Sequence, residues 1–309
     1  MPIYNKFINT CFNLNPKFVT MIIPSKWMVG GRGLDKFRGK MLSEKRIKAL
    51  VDFENASECF PGVHLDGGVC YFLWDRYYYG KTDYTFISNK KERNTSLRYL
   101  KNDNFKYVIR DNRITRIIGK INSKESFSKI ISSTRPYGIR MNLFNKPYCY
   151  PESKLSSSPF DKSIKIYGVK GLKGGAKRKV GYIKRKTANR NIETIDRFKL
   201  FFTTSYSTNA IIPPEIIKGF PGEICTETYL LVGPFENEME QQNCYDYMHT
   251  KFFRALLYFG KGTVRVTKSV FGLIPLCDFK QSWSDEKLFS KYELSKNEVK
   301  FIDSFFLTR

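Results

Sequence analysis

The chain has 309 residues, which is enough for one large domain or two ordinary ones, each with a full hydrophobic core. Its hydrophobic fraction of 41% and its aromatic fraction of 16% are typical of a folded protein and exclude a disordered tail. Lysine and arginine number 53 against 29 aspartate and glutamate, so the formal net charge is +24. That excess favours a polyanionic partner such as nucleic acid. An anionic membrane, or a genome that prefers lysine and asparagine codons, is the alternative explanation.

The seven cysteines are scattered, and no Cys-x-x-Cys pair occurs among them. With only His64 and His249 beside them, they do not form the spacing of a zinc site. We therefore expect no metal and no disulfide, and most cysteines should be small buried residues in a reducing compartment. Because the sequence has no run of about 18 apolar residues and no signal peptide, we expect no membrane segment and a cytoplasmic location.

The first part of the chain predicts strands with intervening helices. Apolar residues at helical spacing predict a helix within Met1–Phe12 and another that begins at Leu34. Apolar runs predict four strands, at Thr20–Pro24, Ile47–Phe53, Val69–Trp74 and Tyr84–Ile87. Because these runs do not alternate strictly, we expect parallel strands that are covered on both faces. The expected fold is a doubly wound α/β sheet with a ligand site after the strand ends.

The middle of the chain is more polar. Residues Lys90–Lys129 predict a connector that is helical in part, and a second folded unit is expected to begin near Arg135. The opening of that unit is rich in proline and serine, which indicates turns.

The most basic stretch runs from Lys162 to Arg190 and contains no acidic residue. Short β-prone pieces between its glycines predict basic strands and loops. Basic residues interleaved with tyrosine are typical of a surface that follows a nucleic-acid backbone. An ordinary charged surface is the alternative, but a run of this length without counter-charge favours binding. The DNA-binding candidates here are Lys162, Lys165, Lys170, Lys173, Lys177, Arg178, Lys179, Lys184, Arg185, Lys186 and Arg190.

The C-terminal part predicts a strand over Thr226–Pro234 that ends at Gly-Pro, a helix over Glu236–Phe259 and a strand over Ser269–Leu276. Two helices should follow. Ser284 can cap the first, and Ser295 with Glu298 forms a capping box for the second.

Several stretches carry a family resemblance when they are taken together. The first half contains Pro2-Ile-Tyr-Asn-Lys-Phe7, Ile22-Ile-Pro-Ser-Lys-Trp27, Gly30-Gly-Arg-Gly-Leu-Asp-Lys-Phe-Arg38, Cys59-Phe-Pro-Gly-Val63 and Gly67-Gly-Val-Cys-Tyr-Phe-Leu-Trp-Asp75. The second half contains Thr226-Glu-Thr-Tyr229, Thr250-Lys-Phe-Phe-Arg254, Pro275-Leu-Cys-Asp-Phe279 and Trp283-Ser-Asp-Glu-Lys-Leu288. In this order they resemble adenine-N6 DNA methyltransferases of restriction–modification systems, from the segment after the catalytic motif to the target-recognition end.

The resemblance implies an α/β fold, in which the distal half of a Rossmann-like methyltransferase sheet is followed by an α+β target-recognition domain. The domains that we predict are residues 1–88 for the C-terminal half of the catalytic domain, 89–134 for a connector, and 135–309 for the DNA target-recognition domain with its C-terminal helices.

Two motifs of that family do not occur in the chain. The family binds S-adenosylmethionine with Phe-x-Gly-x-Gly and holds the flipped adenine with Asn/Asp-Pro-Pro-Tyr/Phe. The sequence Asn145-Lys-Pro-Tyr148 has lysine in place of the first proline, and the glycines of Gly168–Gly175 do not have the spacing of a phosphate-binding loop. We therefore expect no catalytic residue here, and S-adenosylmethionine only with a complementing N-terminal half.

The resemblance gives supporting roles to a few residues. Phe60 stands where the family places an aromatic ring against the flipped base, and a core phenylalanine is the alternative. Lys26, Trp27 and Arg32 would lie on the loop after a strand and face DNA or cofactor, so Lys26 and Arg32 join the DNA-binding candidates. The remaining polar residues are expected to be structural: Asp52 and Asp66 as turn or cap residues, and His64 as a loop residue.

The sequence thus predicts a truncated or split, site-specific adenine-N6 DNA methyltransferase. It should bind double-stranded DNA and need an N-terminal methyltransferase half, or a restriction subunit, as partner. The alternative is a non-catalytic DNA-binding specificity subunit or a protein that binds a restriction complex. A general RNA-binding protein is less favoured, because nothing places Tyr77–Tyr79 in a stacking array. Expressed alone, residues 1–88 should expose apolar surface.

Overall fold

The computed structural model describes residues 2–30, 33–88, 91–101, 107–121, 123–145, 155–172, 175–207, 210–261 and 264–306. The chain divides into two compact units. The first contains Met1–Asn122, Tyr258–Val264 and Lys296–Phe301, and the second contains Ser123–Leu257, Arg265–Ser295 and Ile302–Arg309. The predicted domain boundaries after residues 88 and 134 stay a prediction, because compactness alone does not define functional domains.

The first unit is built around one sheet of five strands. Its elements in chain order are α1 (Tyr4–Leu14), β1 (Phe18–Pro24), α2 (Asp35–Ser43), β2 (Ile47–Phe53), β3 (Val69–Asp75), β4 (Thr82–Ile87), β5 (Arg93–Arg98) and α3 (Asn112–Lys120). The helices and strands predicted here up to residue 88 are confirmed. The polar sequence of β5 did not indicate a strand, yet this segment, near the start of the predicted connector, pairs with β4.

The strand order of this sheet is β1-β3-β2-β4-β5. β3 lies between β1 and β2 and is antiparallel to both. β2 is parallel to β4, and β5 is antiparallel to β4. The predicted doubly wound parallel sheet is therefore wrong in its strand directions: the sheet is mixed, and β2–β4 is the single parallel pair among its described strands. A run of apolar residues indicates burial but not strand direction: β3 buries Cys70, Phe72 and Trp74 on one face, and Tyr71 on the other face is 39% exposed.

One face of this sheet packs into a closed core, and the other face is partly open. The core joins the inward side chains of the strands to α1 and α2; it includes Ile8, Phe12, Phe37, Met41, Leu50, Phe72 and Trp74. Phe12 stacks on Trp74 with the ring centroids 5.3 Å apart. On the opposite face, Phe18 and Ile22 of β1 are 51% and 53% exposed. The expectation that both faces are covered is therefore wrong for these residues.

The second unit contains two sheets of three strands each, in the orders β10-β6-β7 and β11-β8-β9. The strands are β6 (Ser163–Leu172), β7 (Gly175–Lys184), β8 (Phe198–Thr203), β9 (Ile217–Gly219), β10 (Glu223–Cys225) and β11 (Tyr229–Phe235). The helices that follow in the chain are α4 (Glu238–His249), α5 (Lys251–Gly260), α6 (Asp285–Lys291) and α7 (Lys296–Ser304), of which the end of α5 and most of α7 belong to the first unit. Its core includes Tyr137, Leu143, Ile166, Phe201, Ile224 and Leu231.

Three predictions for the C-terminal part need correction. The helix predicted over Glu236–Phe259 is two helices, because Thr250 is extended and its hydroxyl accepts a hydrogen bond from the Phe253 amide at 3.1 Å, as a cap does. The strand predicted over Ser269–Leu276 is mainly a 3-10 helix, Lys268–Leu273. The strand expected to end at Gly-Pro continues through it as β11.

The prediction of two C-terminal helices is confirmed. The two C-terminal helices are present, and the Ser284 hydroxyl caps α6 by accepting a hydrogen bond from the Lys287 amide.

Six cysteines lie in the described part of the chain and are free thiols, four of them buried. Burial, with the nearby Asp52 charge, raises the pKa of the Cys70 thiol to about 12. Within the described ranges, no helix is both long and apolar enough to span a membrane.

Candidate nucleic-acid interface

The basic stretch forms a β-hairpin of β6 and β7, as the sequence predicted in outline. At its base, the isoleucine side chains Ile164, Ile166 and Ile183 are buried. Further out, Lys170 and residues 177–180 are exposed. The hairpin changes from buried to exposed residues near Gly168. A Cβ atom at Gly168 would clash with the Phe144 ring, so this ring packs directly on the hairpin backbone. The outer half of the hairpin therefore projects from the core of its unit.

Three lysines share one face of the projecting half. Lys170 and Lys177 are directly opposite each other, and Lys179 is opposite Gly168, two residues along β7. Since side chains alternate along a strand, these three point to the same side, which we call the lysine face. Like charges directly opposite each other destabilise a sheet. None of the three has an ion-pair partner in the described part of the chain, so nothing there offsets the repulsion.

Three other basic residues of the stretch are paired with carboxylates from other segments. Arg178 Nη1 lies 2.9 Å from Glu215 Oε2, and Lys165 Nζ lies 2.9 Å from Glu223 Oε1. Arg185 forms an ion pair with Asp196. Hydrogen bonds to Tyr167 and Glu223 raise the pKa of the Lys165 ammonium. The fold therefore supplies part of the counter-charge that the basic stretch lacks in sequence.

This pairing divides the predicted DNA-binding residues of the stretch into two groups. Lys165, Arg178 and Arg185 are paired, as described above. A larger group has no carboxylate within ion-pair distance among the described residues: Lys162, Lys170, Lys177, Lys179, Lys184, Lys186 and Arg190. Lys173 lies outside the described residues. DNA binding by each of these residues stays a prediction.

A cleft of about 1140 Å³ lies at the base of the hairpin. Ile164, Ala188 and Ile195 contribute apolar side chains to its wall. The charged lining consists of four cations and three carboxylates: Lys162, Lys184, Arg185, Lys186, Asp161, Glu193 and Asp196. Both signs of charge therefore line this cleft, whereas the lysine face has only positive charge.

Asp52 is fully buried inside β2, so the expectation of a turn or cap residue is wrong. Its carboxylate accepts hydrogen bonds from Ser25 Oγ at 2.6 Å and Tyr84 Oη at 3.0 Å. Arg110 donates two more, from Nε at 2.6 Å and Nη2 at 2.8 Å. Burial, with the Asp52 charge, raises the pKa of Tyr84 well above its usual value. Burial disfavours the charged guanidinium of Arg110, but Asp52 more than offsets this and raises its pKa.

This network could not be predicted from the sequence, because Arg110 is 58 residues from Asp52. Both carboxylate oxygens of Asp52 already accept hydrogen bonds. They are therefore occupied by structural partners and have little capacity to bind a substrate or remove a proton.

The loops after β1 and β2 contain the remaining candidates. Trp27 is fully buried with its ring edge-on to Phe37 at 5.9 Å, so the expectation that it faces DNA or cofactor is wrong. Lys26 is half-buried on the same 3-10 helix, and Arg32 lies outside the described residues. Phe60 is 40% exposed on the loop after β2, and its stacking role stays a prediction.

The polar residues of the loop between β2 and β3 have the predicted structural positions. Asp66 lies in a turn, and His64 lies in an exposed loop segment.

The described residues do not assemble a site for S-adenosylmethionine. Asn145, the first residue of the motif-like sequence, accepts a hydrogen bond from the Gly171 amide at 3.1 Å and so supports the hairpin. Residues 146–148 of that sequence lie outside the described residues. Gly168 and Gly171 lie in a β-strand and form no phosphate-binding loop. The described residues of these two sequences therefore do not fit the cofactor. In the described part of the chain, no group of three or more His, Cys, Asp or Glu residues could hold a metal ion.

Comparison with known proteins gives one family and one curated relative. Residues 1–60 match the model of the Eco57I restriction-modification methylase family. The chain is also 34% identical over 108 residues to an uncharacterized adenine-specific methylase from Mycoplasma pneumoniae, over 35% of this chain and 26% of that relative. The match thus spans about a quarter of the length of the relative.

Two solved structures have a weaker similarity. The type IIG restriction endonuclease BpuSI is 10% identical with a TM-score of 0.32, over 94% of this chain and 42% of its own. The type IIL restriction-modification enzyme MmeI, solved in complex with DNA, is 11% identical with a TM-score of 0.44, over 87% of this chain and 40% of its own. These scores are too low to define a shared fold.

The resemblance that the sequence predicted is confirmed. The chain is similar to adenine-specific methylases of the restriction–modification type, and the family match contains the elements from α1 to β2.

Proposed function

We propose that the chain is a truncated or split part of a site-specific adenine-N6 DNA methyltransferase. It binds double-stranded DNA, and it takes part in methyl transfer from S-adenosylmethionine when an N-terminal half supplies the cofactor loop and the catalytic motif. The observation that carries this proposal is the match of residues 1–60 to a restriction-modification methylase family, on a chain whose described residues do not fit the cofactor.

The hairpin supports the DNA-binding part of the proposal. The lysine face holds three exposed ammonium groups that no carboxylate in the described residues neutralises. DNA phosphates that bind these ammonium groups release their counterions. This release favours binding and makes the affinity fall as the salt concentration rises.

The first unit supports the part that concerns an N-terminal partner. β1 is an edge strand of the sheet among the described residues, and an open edge can accept a further strand. Phe18 and Ile22 of β1 are exposed, and so are Ile3 and Phe7 on or beside α1. Exposed apolar surface of this kind marks interaction sites. A polypeptide that brings further strands and helices of a methyltransferase sheet would cover it.

The DNA-binding part can be tested by fluorescence anisotropy with a labelled duplex. We expect binding at about 50 mM salt, with the affinity falling steeply, by a factor of about 10³ or more, by about 200 mM. Vesicles that contain phosphatidylserine and an RNA of equal length serve as competitors for the membrane and RNA alternatives. Failure to bind the duplex at the lower salt concentration, or tighter binding to either competitor, would contradict the proposal.

A further inference from the structure

We infer that the β6–β7 hairpin is a two-stranded ribbon that enters the major groove of duplex DNA with its lysine face against the phosphates. This inference rests on the proposed DNA binding. It adds to that proposal the element that enters the DNA, the face of that element, and the groove.

The dimensions of the hairpin fit the groove. Beyond the pair Gly168–Lys179, four further residue pairs extend the ribbon to Leu172–Gly175. At about 3.3 Å per residue these pairs reach about 13 Å. The major groove is about 12 Å wide and about 8.5 Å deep, and it admits a two-stranded ribbon, whereas the minor groove is only about 6 Å wide. The projecting half is therefore long enough to reach the floor of the major groove.

The charges identify the face that contacts the phosphates. Lys170 and Lys177 lie across from each other, at a Cβ separation of about 5 Å in such a pair, and Lys179 follows on the same side. Like charges on directly opposite residues repel, and an anion bound between the two lysine side chains offsets this repulsion. On the other face Arg178 is already paired with Glu215. The lysine face is therefore the side of the ribbon with unsatisfied positive charge, and a phosphate is the anion that DNA offers.

The support at the base keeps the ribbon in place. The Phe144 ring packs on Gly168 and Gly181, and the Asn145 side chain accepts a hydrogen bond from the Gly171 amide in the outer half. Ser156 adds two backbone hydrogen bonds to Tyr182 at the base of β7, each of 2.9 Å. A ribbon that is ordered before binding loses less conformational entropy when it binds.

The test compares two triple variants of the full chain by the salt dependence of duplex binding. The first changes Lys170, Lys177 and Lys179 to Gln. The control changes Lys280, Lys296 and Lys300 to Gln; these are three exposed lysines without an ion-pair partner in the described residues, so both variants lose the same charge. We expect the slope of log K against log salt to fall in magnitude by about 2.7 for the first variant, at about 0.9 per lost phosphate contact. The control should keep the wild-type slope.

A single variant tests the same face in case the triple variant misfolds. Lys177→Glu places a carboxylate opposite Lys170, which should favour strand pairing. Its affinity for DNA should nevertheless fall at least as far as that of Lys177→Gln. Equal affinity of Lys177→Glu and wild type would overturn the assignment of this face.

The groove is tested with modified DNA. Bulky glucosyl groups on cytosine C5 fill the major groove, and we expect them to lower the affinity by more than about tenfold, whereas the minor-groove ligand netropsin should leave it unchanged. If the wild type binds duplex DNA but netropsin displaces it, or if the two triple variants have equal slopes, the ribbon inference is wrong and the proposed function stands. If the wild type does not bind duplex DNA at all, both fail.

Discussion

Asp52 and Arg110 form a buried ion pair in the first unit, with no exposure of the carboxylate and 14% exposure of the arginine side chain. Removing one partner of such a pair leaves an uncompensated buried charge, which costs about 3–5 kcal/mol. Asp52→Asn is therefore expected to lower the free energy of unfolding by about 3 kcal/mol. Urea unfolding checks this, with Asp83→Asn as control, because Asp83 is exposed on the neighbouring strand β4. Equal urea midpoints for the two variants would show that the buried charge of Arg110 does not need the Asp52 carboxylate.

Lys199 is a second buried charge, and its ammonium donates to the carbonyl oxygens of Thr194, Ile195 and Arg197 at 2.9, 2.6 and 2.9 Å. Burial lowers its pKa from 10.5 to about 8. Because the folded-state pKa lies below the unfolded-state value, the folded chain binds fewer protons between these pH values. The contribution of Lys199 to the free energy of unfolding therefore increases as the pH rises through this window.

The expected pH dependence can be isolated with Lys199→Met. Urea midpoints at about pH 8 and about pH 10 should show a more positive change with pH for the wild type than for this variant, since the other titrating groups are common to both. An equal change of the urea midpoint with pH in the two proteins would mean that the three carbonyl oxygens keep the Lys199 ammonium charged in the folded protein.

Among the elements, the hairpin depends on glycine at position 168. A Cβ at Gly168 would clash with the Phe144 ring, whereas a Cβ at Gly171 on the same strand meets no atom within 4 Å. We expect Gly168→Ala to lower the free energy of unfolding by about 1–3 kcal/mol through overpacking. Gly171→Ala should change it by less than about 0.5 kcal/mol. Thermal melts of both variants measure the difference, and equal melting temperatures would contradict the packing of Phe144 on the hairpin.

Sequence patterns predicted the positions of most helices and strands. They did not predict the features that depend on contacts with residues distant in the sequence. The apolar runs of β1 and β3 marked buried strands but carried no information on direction, which the pairing in the sheet decides. β5 has a polar sequence because one of its faces is exposed, so no run marked it. Phe271 and its neighbours are buried in a 3-10 helix, where a short apolar run has the same composition as a strand. For the candidate site, the basic hairpin was predictable from local sequence, whereas the carboxylates that pair with Arg178 and Lys165 come from distant segments.

At the scale of the whole molecule, the exposed apolar side chains of β1 predict a surface for a partner. Phe18→Ser combined with Ile22→Thr should lower the fluorescence of a hydrophobic dye by roughly half, because both residues lie on the open face of the sheet. Tyr77→Ser combined with Tyr79→Ser is the matched control, since these two aromatic residues are strongly exposed but lie on a turn after β3. An equal loss of dye fluorescence in both variants would contradict a partner surface on β1.

The central claim is that the chain binds DNA and contributes to adenine methylation only together with a cofactor-binding half. The most direct measurement is the transfer of labelled methyl groups from S-adenosylmethionine to duplex DNA. It is made with the chain alone, with a separate methyltransferase half that contains the Phe-x-Gly-x-Gly and Asn-Pro-Pro-Tyr motifs, and with the mixture. We expect N6-methyladenine only from the mixture. Methyl transfer by the chain alone, or none by the mixture, would contradict the claim.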